Sequence, residues 1–267
     1  ELLPFPNGEI GSFNDMQKRI GRKTVSKALL KKVPVILKAY DLLEWQGEDL
    51  RSKPFIERRK VLETLVNNVQ TETLPLQLSE RMSFSSWEEM AKERETSRDK
   101  KSEGLMLKRL DSPYLVGRKK GDWWKWKVEP LEIDAVLHYA QAGHGRRAGL
   151  HTDYTLGVWD GDQLVTVAKA YSGLSDKELI EIDKIIRSTT IERHGPVRVV
   201  RPTLVFQLAF ENVSRSTRHK SGIAVRFPRI ARWRRDKLPH EAATLSDLKV
   251  LLAQATGQQQ LSGEQTE

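Results

Sequence analysis

The chain has 267 residues, of which 38% are hydrophobic and 30% charged, so it can bury a core in one large domain or two ordinary ones. It contains no cysteine, which excludes disulfide frameworks and thiolate metal sites. No apolar run reaches the roughly 20 residues of a membrane helix, and the opening ELLPFPNGEI lacks the features of a signal peptide. We therefore expect a cytoplasmic protein with no membrane partner.

The charge of the chain points to a polyanionic partner. Lys and Arg number 45 against 36 Asp and Glu, which gives a net charge of +9. Between Arg215 and Lys237, nine of 23 residues are basic and one is acidic. This cluster predicts a phosphate-binding surface, and a solvated basic face is the alternative.

The first half of the chain mixes predicted strands and helices. A strand is predicted from Lys32 to Tyr40, followed by a loop over residues 41–53. Pro54 opens a helix whose apolar residues recur at helical spacing: Leu62, Leu65, Val66 and Val69.

A second helix, beginning SWEEMAKERE, follows a predicted capping box. Ser86 and Glu89 have the spacing at which the two side chains satisfy each other's backbone N–H groups. The polar run over residues 92–102 predicts an exposed connection.

Beyond residue 128 the sequence predicts short strands separated by turns. A strand is predicted from Ile133 to Tyr139, a hairpin around Asp160-Gly161-Asp162, and a strand at TLVFQLAFENV. One helix lies between them, with Ser175 and Glu178 as capping box and three inward residues: Leu179, Ile182 and Ile186. Five or so strands with one helix indicate a small barrel such as an OB-fold.

The predicted fold class is therefore α+β with two domains. The first domain covers residues 1–128 and has mixed sheets and helices. The second covers residues 129–254 and is a C-terminal OB-fold β-barrel. Residues 255–267 form a polar tail that we expect to be disordered.

Two strand-like segments carry candidate site residues. In EGLMLK, a strand places Glu103 on the face of Leu105, where a carboxylate beside Gly104 could hold a metal or a ribose. An ordinary strand end is the alternative reading of this hexapeptide. In WWKWK, alternation places Lys125 and Lys127 on one face, which predicts a phosphate site, and Trp124 and Trp126 on the other as anchors. An edge strand protected by lysines is the alternative.

Two further segments suit nucleic acid or nucleotide. RFPRIARWRRDK interleaves aromatic residues with arginines, whose planar groups match phosphate oxygens. Tyr40 ends a predicted strand, where a base could stack, although a tyrosine there is more often part of a core. The sequence contains no P-loop and no Gly-x-Gly-x-x-Gly motif, and its six histidines show no metal-ligand spacing.

Taken in order, EGLMLK, WWKWK and RFPRIARWRRDK resemble the ATP-dependent DNA ligase family of covalent nucleotidyltransferases. The resemblance extends from ELLPF to Lys237. It implies that the first domain is part of an adenylation domain, that the substrates are ATP and nicked duplex DNA, and that Mg²⁺ or Mn²⁺ is the metal. It also implies a monomer acting in DNA repair, recombination or replication, in a bacterial cytoplasm or nucleoid.

The resemblance also assigns roles to individual residues. Lys125, Lys127 and Glu103 would be catalytic, Glu103 and Glu1 would hold the metal, and Tyr40 would stack on adenine. Four residues of the second domain would reach the pyrophosphate of ATP when that domain closes: Arg226, Arg229, Asp236 and Lys237. The basic residues expected to bind DNA are Arg215, Arg218, Lys220, Arg232, Arg234 and Arg235.

The chain departs from the family at the nucleophile. The family uses the lysine of a Lys-x-Asp-Gly motif, and no such tetrapeptide occurs in this sequence. We expect the motif to lie N-terminal to Glu1 in a longer protein, so that this chain alone does not form the enzyme-adenylate. The alternatives are an RNA ligase or capping-type nucleotidyltransferase, and a non-catalytic DNA-binding module with a ligase-like fold.

Overall fold

The computed structural model describes residues 1–71 and 73–255, which fall into two compact units. The first unit runs from Glu1 to Val128, and the second begins at Glu129. The tail predicted over residues 255–267 lies, beyond Ala255, outside the described residues.

The first unit is built from short elements around small sheets. The elements are β1 (Leu2–Pro4), α1 (Phe13–Gln17), α2 (Lys27–Lys32), β2 (Val35–Ala39), β3 (Glu44–Trp45), β4 (Glu48–Asp49), α3 (Phe55–Val69), β5 (Leu76–Leu78), α4 (Trp87–Glu95), β6 (Gly104–Lys108) and β7 (Trp123–Lys127). One sheet has three strands in the order β1-β2-β5, with β2 antiparallel to β1 and parallel to β5, and two further sheets are the pairs β3–β4 and β6–β7.

The strand predicted over residues 32–40 is confirmed as β2, and the helix that follows Pro54 is confirmed as α3. Leu62 and Val66 are buried in α3 as the spacing predicts, whereas Val69 at its end is exposed. The predicted loop over residues 41–53 contains the short β3–β4 hairpin.

The predicted capping box of α4 is only half correct. The Ser86 hydroxyl accepts from the Glu89 backbone N–H, but the Glu89 carboxylate accepts from the backbone and hydroxyl of Ser85 instead. The segment 92–102 is also not a simple exposed connection. Its first residues complete α4, Ser97 is buried, and Arg94 donates to the Lys127 carbonyl at 3.2 Å.

The second unit is dominated by one large antiparallel sheet. The elements of this unit are β8 (Leu131–Ala142), β9 (His151–Asp160), β10 (Gln163–Ala170), α5 (Asp176–Thr189), β11 (Thr190–His194), β12 (Val197–Val200), β13 (Val205–Phe210), β14 (Asn212–Arg215), β15 (Ile223–Arg226), β16 (Arg229–Trp233) and α6 (Leu245–Ala255). Seven strands belong to the large sheet, in the order β10-β9-β8-β12-β11, with β13 pairing both β8 and β16.

The long strand β8 makes this sheet curl. On one edge its N-terminal half pairs with β13 and its C-terminal half with β12, while β9 pairs along the other edge. The register between β8 and β9 shifts between Leu137 and Tyr139, and such irregularities increase the twist of a strand. A curled, half-closed sheet around a buried apolar core is consistent with the predicted OB-fold, and the α+β fold class is confirmed.

Helix α5 matches its prediction residue by residue. Ser175 and Glu178 form a reciprocal capping box, and Leu179, Ile182 and Ile186 are buried in the main core. The second unit nevertheless has more elements than predicted, namely nine strands and two α-helices within the described residues. Helix α6, which the sequence analysis missed, buries Leu245, Leu248 and Leu252 against the same core.

Over residues 1–71 and 73–255, no helix combines the length and apolar character required to cross a membrane.

Candidate functional site

The β6–β7 hairpin places two lysines side by side. Its antiparallel register sets Met106 opposite Lys125 and Gly104 opposite Lys127, so that both lysines lie on one face. Leu105 lies opposite Trp126 on the other face. Two adjacent cations on a rigid strand form a site that an anion such as phosphate can occupy.

Glu103 lies against the second lysine. Its carboxylate is 3.0 Å from the Lys127 ammonium, although strand alternation predicted Glu103 on the opposite face, with Leu105. The prediction was wrong because Gly104 has a φ of 142°, a conformation outside the ordinary strand range. The site therefore combines two ammonium groups with one carboxylate, all partly exposed.

Gly104 also permits an unusually close approach of the two strands. A Cβ atom at this position would lie 2.2 Å from the Trp126 carbonyl oxygen and 2.6 Å from the Lys127 Cα atom. Both atoms belong to the backbone and cannot rotate away, so a side chain at residue 104 would force the hairpin apart.

The tryptophans anchor the hairpin differently from the prediction. Trp123 contacts Phe55 and Tyr114 edge to face, with ring centroids 6.1 and 5.6 Å apart, and Trp126 contacts Trp87 at 5.9 Å. Trp124, predicted as an anchor, is 50% exposed. Trp123 takes its place, since its ring contacts Phe55 at the start of α3 and Tyr114.

Lys108 is a site residue that the sequence analysis missed. It lies opposite Trp123, on the same face as Lys125 and Lys127, and its ammonium is 4.5, 4.8 and 4.2 Å from the ring centroids of Tyr40, Phe55 and Trp123. Burial lowers the pKa of Lys108 to about 8, with nearby Asp41 opposing the shift. The motif EGLMLK itself contained the signal, since Lys108 shares a predicted face with Met106.

Tyr40 directly follows β2 and lies next to Lys108, and the residue is 43% exposed. The following residue, Asp41, accepts two hydrogen bonds from Arg58 of α3, at 2.9 and 2.8 Å, and neither side chain is more than 3% exposed. Arg58 also donates to the carbonyls of Lys53 and Ser112. A fully bonded buried ion pair of this kind fixes the orientation of the segment that presents Tyr40.

Glu1 lies beside β2. Its terminal ammonium donates to the Lys38 carbonyl at 2.8 Å, and its side chain is exposed. Within the described residues no three His, Asp or Glu side chains form a group that could hold a metal ion. Mg²⁺ is commonly held by one or two carboxylates together with substrate phosphates, so Glu103 fits as a single protein ligand.

The predicted residues of the second unit lie at the two ends of β16. At its start, Arg229 donates to Glu211 at 2.9 Å, and Arg226 lies 4.9 Å from the ring of the exposed Phe227. Phe227 has a φ of 51°, which is strained for a bulky residue.

Two cationic side chains from the segment beyond β16 bind the same carboxylate, that of Asp134. Asp134 accepts from Arg234 at 2.8 and 3.0 Å and from Lys237 at 2.6 Å. Arg234 also bonds to Asp236; this bond and the charge of Asp134 raise the pKa of Arg234, while the same guanidinium lowers the pKa of Asp236. Because the Arg234 side chain is only 12% exposed, the structure favours an internal ion pair over direct contact with DNA.

The other residues predicted to bind DNA lie on two surfaces. Arg232 donates to Gln207 on β13, and Arg235 lies 3.6 Å from the Trp233 ring and donates to both carboxylate oxygens of Glu181. Three are exposed at or near the β14–β15 turn: Arg215, Arg218 and Lys220.

Known protein families match both units. The model of the ATP dependent DNA ligase domain matches residues 2–127, and that of the ATP dependent DNA ligase C terminal region matches residues 147–237. A probable DNA ligase of Koribacter versatilis is 38% identical over 264 residues, covering 92% of this chain and 46% of its own length. DNA ligase 1 of Korarchaeum cryptofilum is 32% identical, covering 93% of this chain and 45% of its own length. The chain thus spans about half the length of these curated relatives.

Solved structures share the fold. One described as Pmar-Lig_Pre has a TM-score of 0.65 at 17% identity, covering 84% of this chain and 49% of its own. A structure from work on DNA binding by Lig E DNA ligases has a TM-score of 0.56 at 20% identity, covering 80% of this chain and 69% of its own. The chain belongs to the ATP-dependent DNA ligase family.

Replacing Gly104 tests the close approach within the hairpin. Gly104→Ala should lower the free energy of unfolding by about 2 to 4 kcal/mol, because the strained φ and the backbone clash add together. Gly117→Ala is the matched control, since Gly117 also has a positive φ, of 77°, but no atom within 4 Å of an added Cβ. It should lose only about 1 kcal/mol. Urea unfolding followed by tryptophan fluorescence measures both, and equal losses would contradict the clash.

The pKa of Lys108 is open to direct titration. In carbon-13 NMR of the reductively methylated chain, the Lys108 resonance should titrate near pH 8 and be missing in Lys108→Arg. Because the folded-state pKa is lower than the ordinary 10.5, folding releases a proton between about pH 8 and 10.5, and this group's contribution to stability rises with pH there. A midpoint above pH 10 would show that the ammonium is not desolvated.

Proposed function

We propose that the protein seals nicks in duplex DNA, with ATP as the adenylate donor. The observation that carries this proposal is the single face of the β6–β7 hairpin that presents Lys125 and Lys127 beside Glu103. Lys108 on the same face contacts Tyr40, so an aromatic ring lies next to this row of cations. A ring for a base and cations for phosphates are the groups that a nucleotide requires.

The proposed reaction has three phosphoryl-transfer steps. A lysine amine attacks the α-phosphorus of ATP, and the bond to the bridging oxygen breaks to release pyrophosphate. The 5′-phosphate of the nick then attacks the lysine-bound AMP and frees the lysine. Finally the 3′-hydroxyl attacks the activated 5′-phosphate, AMP departs, and the strand is sealed. Such steps depend on positioning and charge neutralisation rather than on difficult bond chemistry.

Each residue of the hairpin has a proposed part in these steps. Lys125 and Lys127 neutralise the α-phosphate as negative charge moves to the leaving group. Glu103 keeps the Lys127 ammonium in place through its 3.0 Å contact and can bind the ribose. Tyr40 stacks on adenine, and the Lys108 ammonium lies over the Tyr40 ring, 4.5 Å from its centroid.

A divalent cation, Mg²⁺ or Mn²⁺, would be held by Glu103 with help from Glu1, and when bound it would supply further charge neutralisation at the phosphates.

We also propose that residues 1–128 form part of the adenylation domain and residues 129–254 the OB-fold domain. Contact of Arg226, Arg229, Asp236 and Lys237 with pyrophosphate stays a prediction, as do the monomeric state and the bacterial cytoplasm or nucleoid as location.

The decisive test is adenylation with radiolabelled ATP, comparing the 267-residue chain with the product of the complete gene. A label on the complete product that survives denaturation, with none on the 267-residue chain, would support the proposal. A label on neither would favour a non-catalytic DNA-binding module. A label on the 267-residue chain would mean that the nucleophile lies within this sequence, contrary to the absence of Lys-x-Asp-Gly.

Single substitutions test the lysine pair. In the complete gene product, Lys125→Ala or Lys127→Ala should slow nick sealing by about 10²–10³, because each removes one preorganised charge from the reacting phosphate. Circular dichroism should stay unchanged. Lys119→Ala and Lys120→Ala are matched controls, because both lysines are exposed in the loop between β6 and β7. These two variants should seal nicks at the rate of the unsubstituted protein. Normal sealing by the Lys125 and Lys127 variants would remove these residues from the site.

A further inference from the structure

The first unit carries a second basic run that the sequence analysis did not single out. Between Lys18 and Lys38, eight of 21 residues are Lys or Arg, and none is acidic. The run covers the segment after α1, helix α2 and most of β2. Its exposed members between α1 and β2 define the α2 basic surface: Arg22, Lys23, Lys27, Lys31 and Lys32.

Hydrogen bonds keep this surface compact. Arg19 donates to the Val33 carbonyl at 2.8 Å, which ties the segment after α1 to the end of α2. Arg22 donates to the Lys18 carbonyl at 2.6 Å. Because α2 has six residues, at about 1.5 Å per residue its lysines lie within a length of roughly 9 Å.

Within the described residues, most of these charges take part in no ion pair. Lys18 forms an ion pair with Asp15, with 2.6 Å between the ammonium nitrogen and a carboxylate oxygen. Within the described ranges, it is the only residue of the run with a carboxylate partner. Lys27 lies in the first turn of α2, where the helix dipole disfavours a cation, and that turn contains no acidic residue. Mutual repulsion of the lysines is therefore unrelieved within the described part of the chain.

The cluster between Arg215 and Lys237 differs in this respect. Arg229 pairs with Glu211, Arg235 pairs with Glu181, and Asp134 takes both Arg234 and Lys237. These charges hold elements of the second unit together. The α2 basic surface has the same density of cations without comparable internal pairing, so its charge is available to an external polyanion.

We propose that the α2 basic surface binds the phosphate backbone of duplex DNA, at a site separate from the β14–β15 turn. The choice of DNA as polyanion rests on the proposed function. Exposed lysines act as mobile point charges, so this surface binds phosphates without reading the base sequence.

The test uses a variant that neutralises four of the lysines: Lys23→Gln, Lys27→Gln, Lys31→Gln and Lys32→Gln. Binding to a fluorescent duplex is measured by anisotropy between about 50 and 200 mM salt, where phosphate contacts have a steep salt dependence. Each lost contact lowers the slope of log K against log salt by about 0.9, so the slope should fall by about 3.6.

A matched control removes the same charge from exposed lysines of the second unit: Lys169→Gln, Lys177→Gln, Lys184→Gln and Lys249→Gln. Its slope should stay close to that of the parent chain. A third variant, Lys23→Arg, Lys27→Arg, Lys31→Arg and Lys32→Arg, keeps the charge and should bind like the unsubstituted 267-residue chain. Loss of binding by the arginine variant would contradict an electrostatic role.

The outcomes separate this inference from the proposed function. If the parent binds DNA with a steep salt dependence and the four-glutamine variant does the same, the α2 basic surface is not the site, while DNA binding stands. An equal loss in both glutamine variants would mean that net charge alone matters, which also overturns the inference. If the 267-residue chain does not bind duplex DNA at all, the inference is overturned, while the adenylation test on the complete gene product still decides the proposed function.

Discussion

The site depends on the close pairing of β6 with β7. At Gly104 the two backbones approach so closely that a Cβ atom would overlap the Trp126 carbonyl. The same glycine turns Glu103 toward Lys127. One backbone constraint thus determines both the spacing of the strands and the position of the carboxylate. Trp123 and Trp126 then hold the hairpin against α3 and α4 through edge-to-face ring contacts.

Charge is used in two ways in this molecule. In the second unit, arginines and lysines pair with carboxylates that lie far away in the sequence, as Arg234 does with Asp134, 100 residues apart. In the first unit, Arg58 and Asp41 form a buried pair, whereas the lysines around α2 are exposed. Local charge density in a sequence therefore does not distinguish a stabilising network from a binding surface. The carboxylates that accept hydrogen bonds from the cations make this distinction, and only the folded structure shows which carboxylates those are.

Patterns that depend on neighbouring residues could be predicted from the sequence. The Ser175–Glu178 box and the shared face of Lys125 and Lys127 follow from helix and strand periodicity, and the structure has both. Helix α6 could also have been predicted, since Leu245, Leu248 and Leu252 recur at helical spacing. Alternation failed at Glu103, because it assumes an ordinary strand conformation that Gly104 does not have.

Other features were beyond the reach of periodicity. Whether Trp123 or Trp124 is the anchor depends on the position of Phe55, a residue in a different element. The three rings around the Lys108 ammonium come from separate parts of the chain. The burial that lowers the pKa of Lys108 therefore exists only in the folded chain. The family resemblance supplied roles for single residues but not the contacts that orient them.

The Asp134 carboxylate has a consequence for the freedom of Lys237. Asp134 already receives two hydrogen bonds from Arg234, which in turn keeps a second partner in Asp236. If the Lys237 ammonium leaves, no unpaired carboxylate is stranded in a poorly solvated place, so the usual penalty for breaking such a bridge is largely avoided. Lys237 is also the more exposed of the two cations. Lys237 can therefore leave Asp134, bind another anion and return, while the Asp134–Arg234 pair stays intact.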